Sequence, residues 1–553
     1  MLKNKLSVCL IAFLVALTGC NPILPASGAS PTSVQPLEPT ETIQTLTQPE
    51  PKSLPSVWVD PNLPTGFTNV LPELPLELVS STSQAADLLL QPAAPAEAAV
   101  RWIFALVAPF PTVVDGISFS DLKSLWAGEA PEWSSGKPLL VSPSTRHMFE
   151  QIWGKAGPGA LKELPEDSLL ETAWSDQPSW ALIPFEQIAP RWKVLRIDGI
   201  SPLDKEFDPD TYPLSAGISL QGPAQTLSAL GGTPLAGLLS LPASNRDPQK
   251  MSVLVMTGVT ALVRATGAKM EKLGMTYPAR DIQEWLRDAD LTHISNEVSF
   301  EPTCPPANPY TARLMFCSRP EYLELLEFVG ADVIELTGNH LKDWRYDSFE
   351  YTLELYRDHG LHYYGGGWNL EEARRPLLIE HNGNRLAFIG CNPAGPETVW
   401  ATDDSPGAAS CDYEQMKAEI GRLQSEGYLV IASLQYNEHY AMVATPYQQR
   451  DYPPLAEAGA AIVSGSQAHF AQTMTFVGDS FVHYGLGNLF FDQMDVPVKG
   501  TRREFIDRHV FYEGRYLGVE LLTAMLEDYS KPRPMTDEER AAFLQDAFNT
   551  AVW

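Results

Sequence analysis

Apolar residues in this chain gather in short continuous runs separated by helical stretches. Arg101-Trp102-Ile103-Phe104-Ala105-Leu106-Val107-Ala108 is a nearly unbroken run that ends at Pro109, the pattern of a strand buried on both faces. Asp121–Trp126 has helical spacing and stops at Gly128, Leu139–Val141 reads as a strand, Ser144-Thr145 is placed to cap a helix through Phe149 and Trp153, and Trp180–Pro184 reads as another strand. A second series starts at Ser252–Met256. Strands are expected at Val333–Leu336, Leu386–Ile389, Leu429–Leu434, Ala461–Val463 and Phe481–Tyr484, with helices such as Tyr322–Phe328 and Phe349–Tyr356 between them. Both series alternate strand and helix, so both predict α/β domains.

The polar stretches set the boundaries. Residues 20–60 are rich in Pro, Ser, Thr and Gln without apolar periodicity and read as a tether. Ser244–Pro248 is a polar junction, which gives a first folded region at 61–245 and a second at 250–530, followed by a tail at 531–553 with one short helix, Asp537–Phe548. The formal charge of -29 repels nucleic acid and anionic headgroups, so no nucleic-acid partner is expected.

The first nineteen residues read as a signal peptide. Lys3 and Lys5 precede an apolar run from Val8 to Leu17 that is too short to span a bilayer, and Leu17-Thr18-Gly19-Cys20 follows. These residues resemble a bacterial lipobox. The resemblance implies cleavage before Cys20, lipidation of its sulfur, and anchoring to the cell membrane on the extracytoplasmic face. Four cysteines remain beyond it, Cys304, Cys317, Cys391 and Cys411, an even number that suits disulfides in an exported chain. Three pairings are open; Cys304–Cys317 with Cys391–Cys411 is favoured because each closes a short loop.

In the first region, Ala108-Pro109-Phe110-Pro111-Thr112, Leu122…Leu125-Trp126-Ala127-Gly128 and Ser179–Phe185 resemble a periplasmic solute-binding protein of the phosphate or molybdate type. The resemblance implies an anion at a helix N-terminus, where Ser144, Thr145 and Arg146 are the matching positions.

In the second region, polar clusters follow the strands: Thr257–Thr260, Ser295–Glu297, Thr337–Asp343, Gln435–Tyr440, Ser464–His469 and Tyr484–Asp492. Sites in open α/β sheets lie beyond the carboxyl ends of strands. Gly338-Asn339-His340…Asp343, Gly465…His469…Gln472 and Tyr484…Leu486-Gly487-Asn488 resemble the CapA family of capsule synthesis proteins, related to calcineurin-like metallophosphoesterases. The resemblance implies a metallophosphoesterase-like α/β sandwich, with a smaller α/β binding-protein-like domain before it. Position by position, it implies Glu297 and Asn339 as metal ligands and His340, Asp343, Glu438 and His469 as catalytic residues. Val259, Gln435, Ser466 and Gln467 stand where the wider superfamily has an aspartate or histidines. Valine cannot ligate a metal, and neutral amides and hydroxyls are weak ligands for transition metals, so no two-metal centre is expected. No cofactor is called for outright; the candidate is one divalent metal, Mn, Mg or Zn, on Glu297, Asn339 and Glu438. His439 is expected in the same cleft, and Gly485, Gly487 and Asn488 are expected to make a tight turn that needs positive φ.

The main functional expectation is a cell-surface lipoprotein for biosynthesis or export of a capsule polymer of the poly-γ-glutamate type, partnered by the membrane through its lipid and by an anionic polymer or the envelope synthesis machinery. The alternatives are a metal-dependent or acid–base hydrolase of phosphoester or amide bonds, and a non-catalytic ligand-binding lipoprotein on a degenerate phosphoesterase-like scaffold.

Overall fold

The computed structural model describes residues 56–553 apart from 70, 72–76, 80–85, 95–97, 99, 230–242 and 312. Cys20, the signal segment and nearly all of the tether lie outside the described residues. Among the described residues no helix is long and apolar enough to cross a membrane.

The first region is built on a mixed ten-stranded sheet. Val100–Pro109 lies at its centre and pairs antiparallel with Ser215–Gln221, Trp180–Pro184 and Trp192–Ile197. The continuous apolar run explains that place, since nearly every residue of this strand is buried. Ser56–Val59, assigned to the tether above, is a strand of this sheet, parallel to Leu88–Ala93.

The second region stacks two sheets. One runs, edge to edge, through His362–Tyr364, Val333–Glu335, Leu291–Asn296, Met251–Thr260, Arg503–Tyr512, Arg515–Glu527 and Lys531–Pro534. Its first four strands are parallel and the last three antiparallel. The other runs through Leu377–His381, Asn384–Cys391, Leu429–Gln435, Ala460–Ser466, Ser480–His483 and Met474–Val477. Leu254, Met256 and Phe505 of the first sheet share one apolar cluster with Phe388, Ile431 and Phe481 of the second, so the sheets pack face to face. Helices cover the outer faces. Leu323–Phe328 and Tyr346–Asp358 cover the first sheet, and Tyr413–Ser425 and Pro453–Glu457 cover the second. The result is an α/β sandwich, as expected from the alternating pattern.

The segment read as a tail belongs to this core. Lys531–Pro534 completes the first sheet, and Phe543, Leu544, Ala547 and Phe548 of helix Asp537–Thr550 are buried between the sheets and the first region. Arg540 of that helix pairs with both carboxylate oxygens of Asp115, at 2.6 and 2.8 Å, and Phe110 packs edge-on against Phe476 at 5.1 Å. The two folded regions therefore form one compact unit. The cysteines pair Cys304–Cys317 and Cys391–Cys411, the pairing favoured above.

Candidate functional site

Strand ends from both sheets build one cleft. Thr260 lies beside Asn296 in parallel register, which sets Glu297 next to the end of the central strand. Gly338 lies so near Glu297 that a Cβ there would sit 2.5 Å from the Glu297 Cα, so only glycine lets the Asn339–His340 turn approach. Val259 is bridged to Asn488, and its N–H donates to the Gly487 carbonyl at 3.0 Å. Gly487 has φ +87°, the left-handed turn expected there. Gly485 does not need positive φ; it is glycine because a Cβ would meet Gln472 Oε1 at 2.7 Å.

His340 and Asp343 form a pair. His340 Nδ1 lies 2.6 Å from Asp343 Oδ2, which also accepts the Phe316 N–H at 3.0 Å. A carboxylate only accepts, so the proton sits on Nδ1 and Nε2 is left for acid–base work. Burial pulls the His340 imidazolium down. The Asp343 hydrogen bond and the negative charges of Glu297, Asp343 and Glu438 outweigh it, so the net shift is upward.

The second sheet contributes amides. Gln435 Nε2 donates to Asn339 Oδ1 at 3.0 Å and to Gln467 Oε1 at 2.5 Å, while Gln435 Oε1 accepts from Ser466 Oγ at 3.1 Å. Ser466 also reaches Glu335, whose buried carboxyl is held above its usual range by loss of water and takes a 2.5 Å bond from Thr337. The residues at the expected histidine positions are thus tied to one another.

His469 is buried, donates through Nδ1 to Asn488 Oδ1 at 2.8 Å and stacks on Phe491 with ring centroids 4.7 Å apart. Phe316 packs edge-on against His340, also at 4.7 Å. Between these two phenyl rings lies Arg264, 5.2 Å from the Phe316 centroid and 5.0 Å from Phe491, ion-paired with Asp492. Arg264, Gln467 and His469 all have positive φ, at +44°, +75° and +53°. Left-handed backbone costs a non-glycine residue on the order of 1 kcal/mol and gathers where a site needs it.

Glu438 is exposed and accepts from Tyr440 Oη at 2.8 Å; its charge reaches His340 although its side chain is at the rim. His439 lies at the rim too, with Nε2 3.0 Å from the Val443 carbonyl. The sequence analysis does not single out Arg264 or Phe316, while Tyr440 lies in one of its polar clusters. Phe316 carried a signal, since it adjoins Cys317 and the Cys304–Cys317 bridge fixes its segment at the cleft.

The residues present do not fit a two-metal centre. Val259 is a buried apolar side chain, Gln435 and Ser466 bond each other, and Asn339 Oδ1 is already an acceptor for Gln435. Among the described residues no three His, Cys, Asp or Glu side chains converge as a metal set. The single-cation set of Glu297, Asn339 and Glu438 meets the same obstacle, because Asn339 and Glu438 are hydrogen-bonded elsewhere.

The anion cradle of the first region is also corrected. Ser142, not Ser144 or Thr145, caps helix Pro143–Trp153 by accepting the Thr145 N–H. Ser144 donates to Glu166 at 3.0 Å, buried Thr145 is 3.0 Å from Ser142 Oγ, and Arg146 is paired with Glu163 at 2.5 Å. Carboxylates already fill the role an anion would take.

Residues 253–493 match the family model described as bacterial capsule synthesis protein PGA_cap. The chain is 22% identical over 324 residues to the capsule biosynthesis protein CapA of Bacillus anthracis, covering 56% of this chain and 77% of that one. It is 22% identical over 174 residues to the PGA biosynthesis protein CapA of Bacillus subtilis, covering 31% of this chain and 46% of the relative. Among solved structures it is similar to the sulfate thiohydrolase SoxB of Thermus thermophilus, at 13% identity and a TM-score of 0.27 over 52% of this chain and 46% of SoxB. Residues 253–493, which hold the cleft's side chains described above (Asn339, His340 and the amides among them), therefore match the CapA family of bacterial capsule synthesis proteins.

Proposed function

We propose that this chain is a lipid-anchored protein of the extracytoplasmic face of the cell membrane that takes part in making or exporting a capsule polymer of the poly-γ-glutamate type. The match of residues 253–493 to the capsule synthesis family carries the reading. Two further features support it. The Leu17-Thr18-Gly19-Cys20 sequence supplies an anchor, and two disulfides suit an oxidising compartment. Deleting the coding sequence and measuring surface polymer tests it. The expected result is loss of polymer, restored by the full chain and not by a Cys20→Ser chain; an unchanged capsule and envelope in the deletion strain overturns the reading.

The His340–Asp343 pair favours a second reading, acid–base cleavage of an amide bond in such a polymer. Phosphoester cleavage is less suited, because the four carboxylates of Glu297, Asp343, Glu438 and Asp492 outnumber the two cationic partners, Arg264 and His340, and the excess negative charge repels phosphate. If the deletion is restored equally well by His340→Ala, the protein works without this pair.

A further inference from the structure

Buried polar groups in folded proteins are paired, and an unpaired one calls for a partner. Unpaired groups collect at this cleft. Glu297 is 1% exposed, and neither carboxylate oxygen has a hydrogen-bond partner. Asn296 Oδ1 and the Thr260 hydroxyl at the ends of their strands, and Gln493 Oε1 in the loop after Asp492, are also buried without partners. The unpaired donors are Arg264 Nε, Gln467 Nε2 and the Thr260 hydroxyl, against four carboxylate and amide oxygens that can only accept. Acceptors thus outnumber donors, and what is missing is donor-rich.

Charge points the same way. Arg264 is neutralised by Asp492 and His340 is held by Asp343, and among the described residues Glu297 forms no ion pair, although its charge reaches His340. The anion cradle of the first region is the contrast, since every hydroxyl and guanidinium there has a partner. We propose that Glu297 is the anionic pole of a binding site for a primary ammonium group, presented by a ligand that enters between His340 and the amide cluster. An ammonium brings three donors and one positive charge, which a carboxylate with two unpaired oxygens can satisfy. A transition metal would need further anionic or imidazole ligands, which Val259, Gln435 and Ser466 do not supply. The inference rests on this cleft being the functional site. It stands apart from the capsule assay, because it is read by binding to the purified chain. A capsule defect without ammonium binding would sink this inference alone.

The test uses the full chain with n-propylammonium chloride, its uncharged counterpart n-propanol, and MnCl2, followed by calorimetric titration and thermal melting. Propylammonium is expected to bind and raise the melting midpoint, while n-propanol does neither. Glu297→Gln should weaken propylammonium binding about tenfold or more, the loss of a charge-assisted hydrogen bond. The same substitution should leave the unliganded midpoint equal or about 1–3 °C higher, because it removes a buried unpaired charge. Thr260→Val, which keeps the shape and the carboxylate, should weaken binding less and serves if Glu297→Gln does not fold. No response to propylammonium, equal binding by Glu297→Gln, or Mn2+ binding that depends on Glu297 and resists propylammonium overturns the proposal.

Discussion

Two polar clusters, one in each folded region, look alike in sequence and differ in structure. Ser142–Arg146 in the first region closes on itself: Ser142 caps the helix, and Ser144 and Arg146 are spent on Glu166 and Glu163. The cleft of the second region is left incomplete, with Glu297 unpaired and three non-glycine residues at positive φ. A closed cluster contributes stability; an incomplete one carries a cost that only a ligand or a reaction offsets. Polar residues after a strand are therefore weak evidence of a site until their pairing is known.

The comparison extends to the ionisable groups beneath the cleft. Burial, with the charge of His509 adding to it, pushes His293 down to about 3, and burial pushes His509 down to about 4. Both are neutral when folded and bind protons when unfolded, so the stability they carry is present above about pH 6.5 and is lost as pH falls toward 4. Urea melts at pH 7 and pH 4.5 should differ by several kcal/mol from this source alone. His293→Gln with His509→Gln should flatten the acid limb, and an unchanged limb would break the assignment.

The bridge that fixes the cleft's rim comes next in size. Removing Cys304–Cys317 with paired Ala substitutions should cost about 3 kcal/mol, as for a loop of that length, measured by denaturant unfolding. It should also release Phe316 from His340; a loss under about 1 kcal/mol would mean that the loop holds itself.

Asp343→Asn sharpens the contrast further. His340 has its folded pKa raised, so its contribution is full below the unfolded value near 6.5 and disappears as pH rises through the folded value. The variant should lose about 1 kcal/mol at pH 6 and little above the folded pKa, with the His340 NMR titration moving to lower pH. In the closed cluster, Ser142→Ala should cost about 1 kcal/mol at every pH, the usual worth of a helix cap, and leave capsule polymer untouched.

The strands were legible wherever burial on both faces left an apolar run, as at Val100–Pro109 and Leu429–Gln435. The antiparallel strand Arg503–Tyr512 was not, because it buries Glu504, Asp507, Arg508 and His509 and so reads as polar. His483 Nδ1 pairs with Asp507 Oδ2 at 2.6 Å, a pairing between sheets that no local pattern contains. At the site, Glu297, Asn339, His340, Asp343 and His469 came from the family resemblance, carried over position by position. The replacement of ligands at Val259, Gln435 and Ser466 was visible too. That Gln435 would bind Asn339, Gln467 and Ser466 together was not, since it depends on how two sheets meet. Arg264 was missed because an arginine at the start of a helix looks like an ordinary surface charge; its place between Phe316 and Phe491 comes from three separate loops.

The central claim is that Val259 and the network of Gln435, Ser466 and Gln467 occupy the positions where the sequence resemblance leads one to expect metal ligands. Elemental analysis of the full chain after dialysis with Mn2+, Zn2+ and Mg2+ tests it most directly, alongside a Val259→Asp, Gln435→His, Ser466→His variant. The account predicts fewer than two metal equivalents on the parent and a gain in Mn2+ affinity of about tenfold or more on the variant. Two tightly held equivalents on the parent, or no gain on the variant, would contradict it.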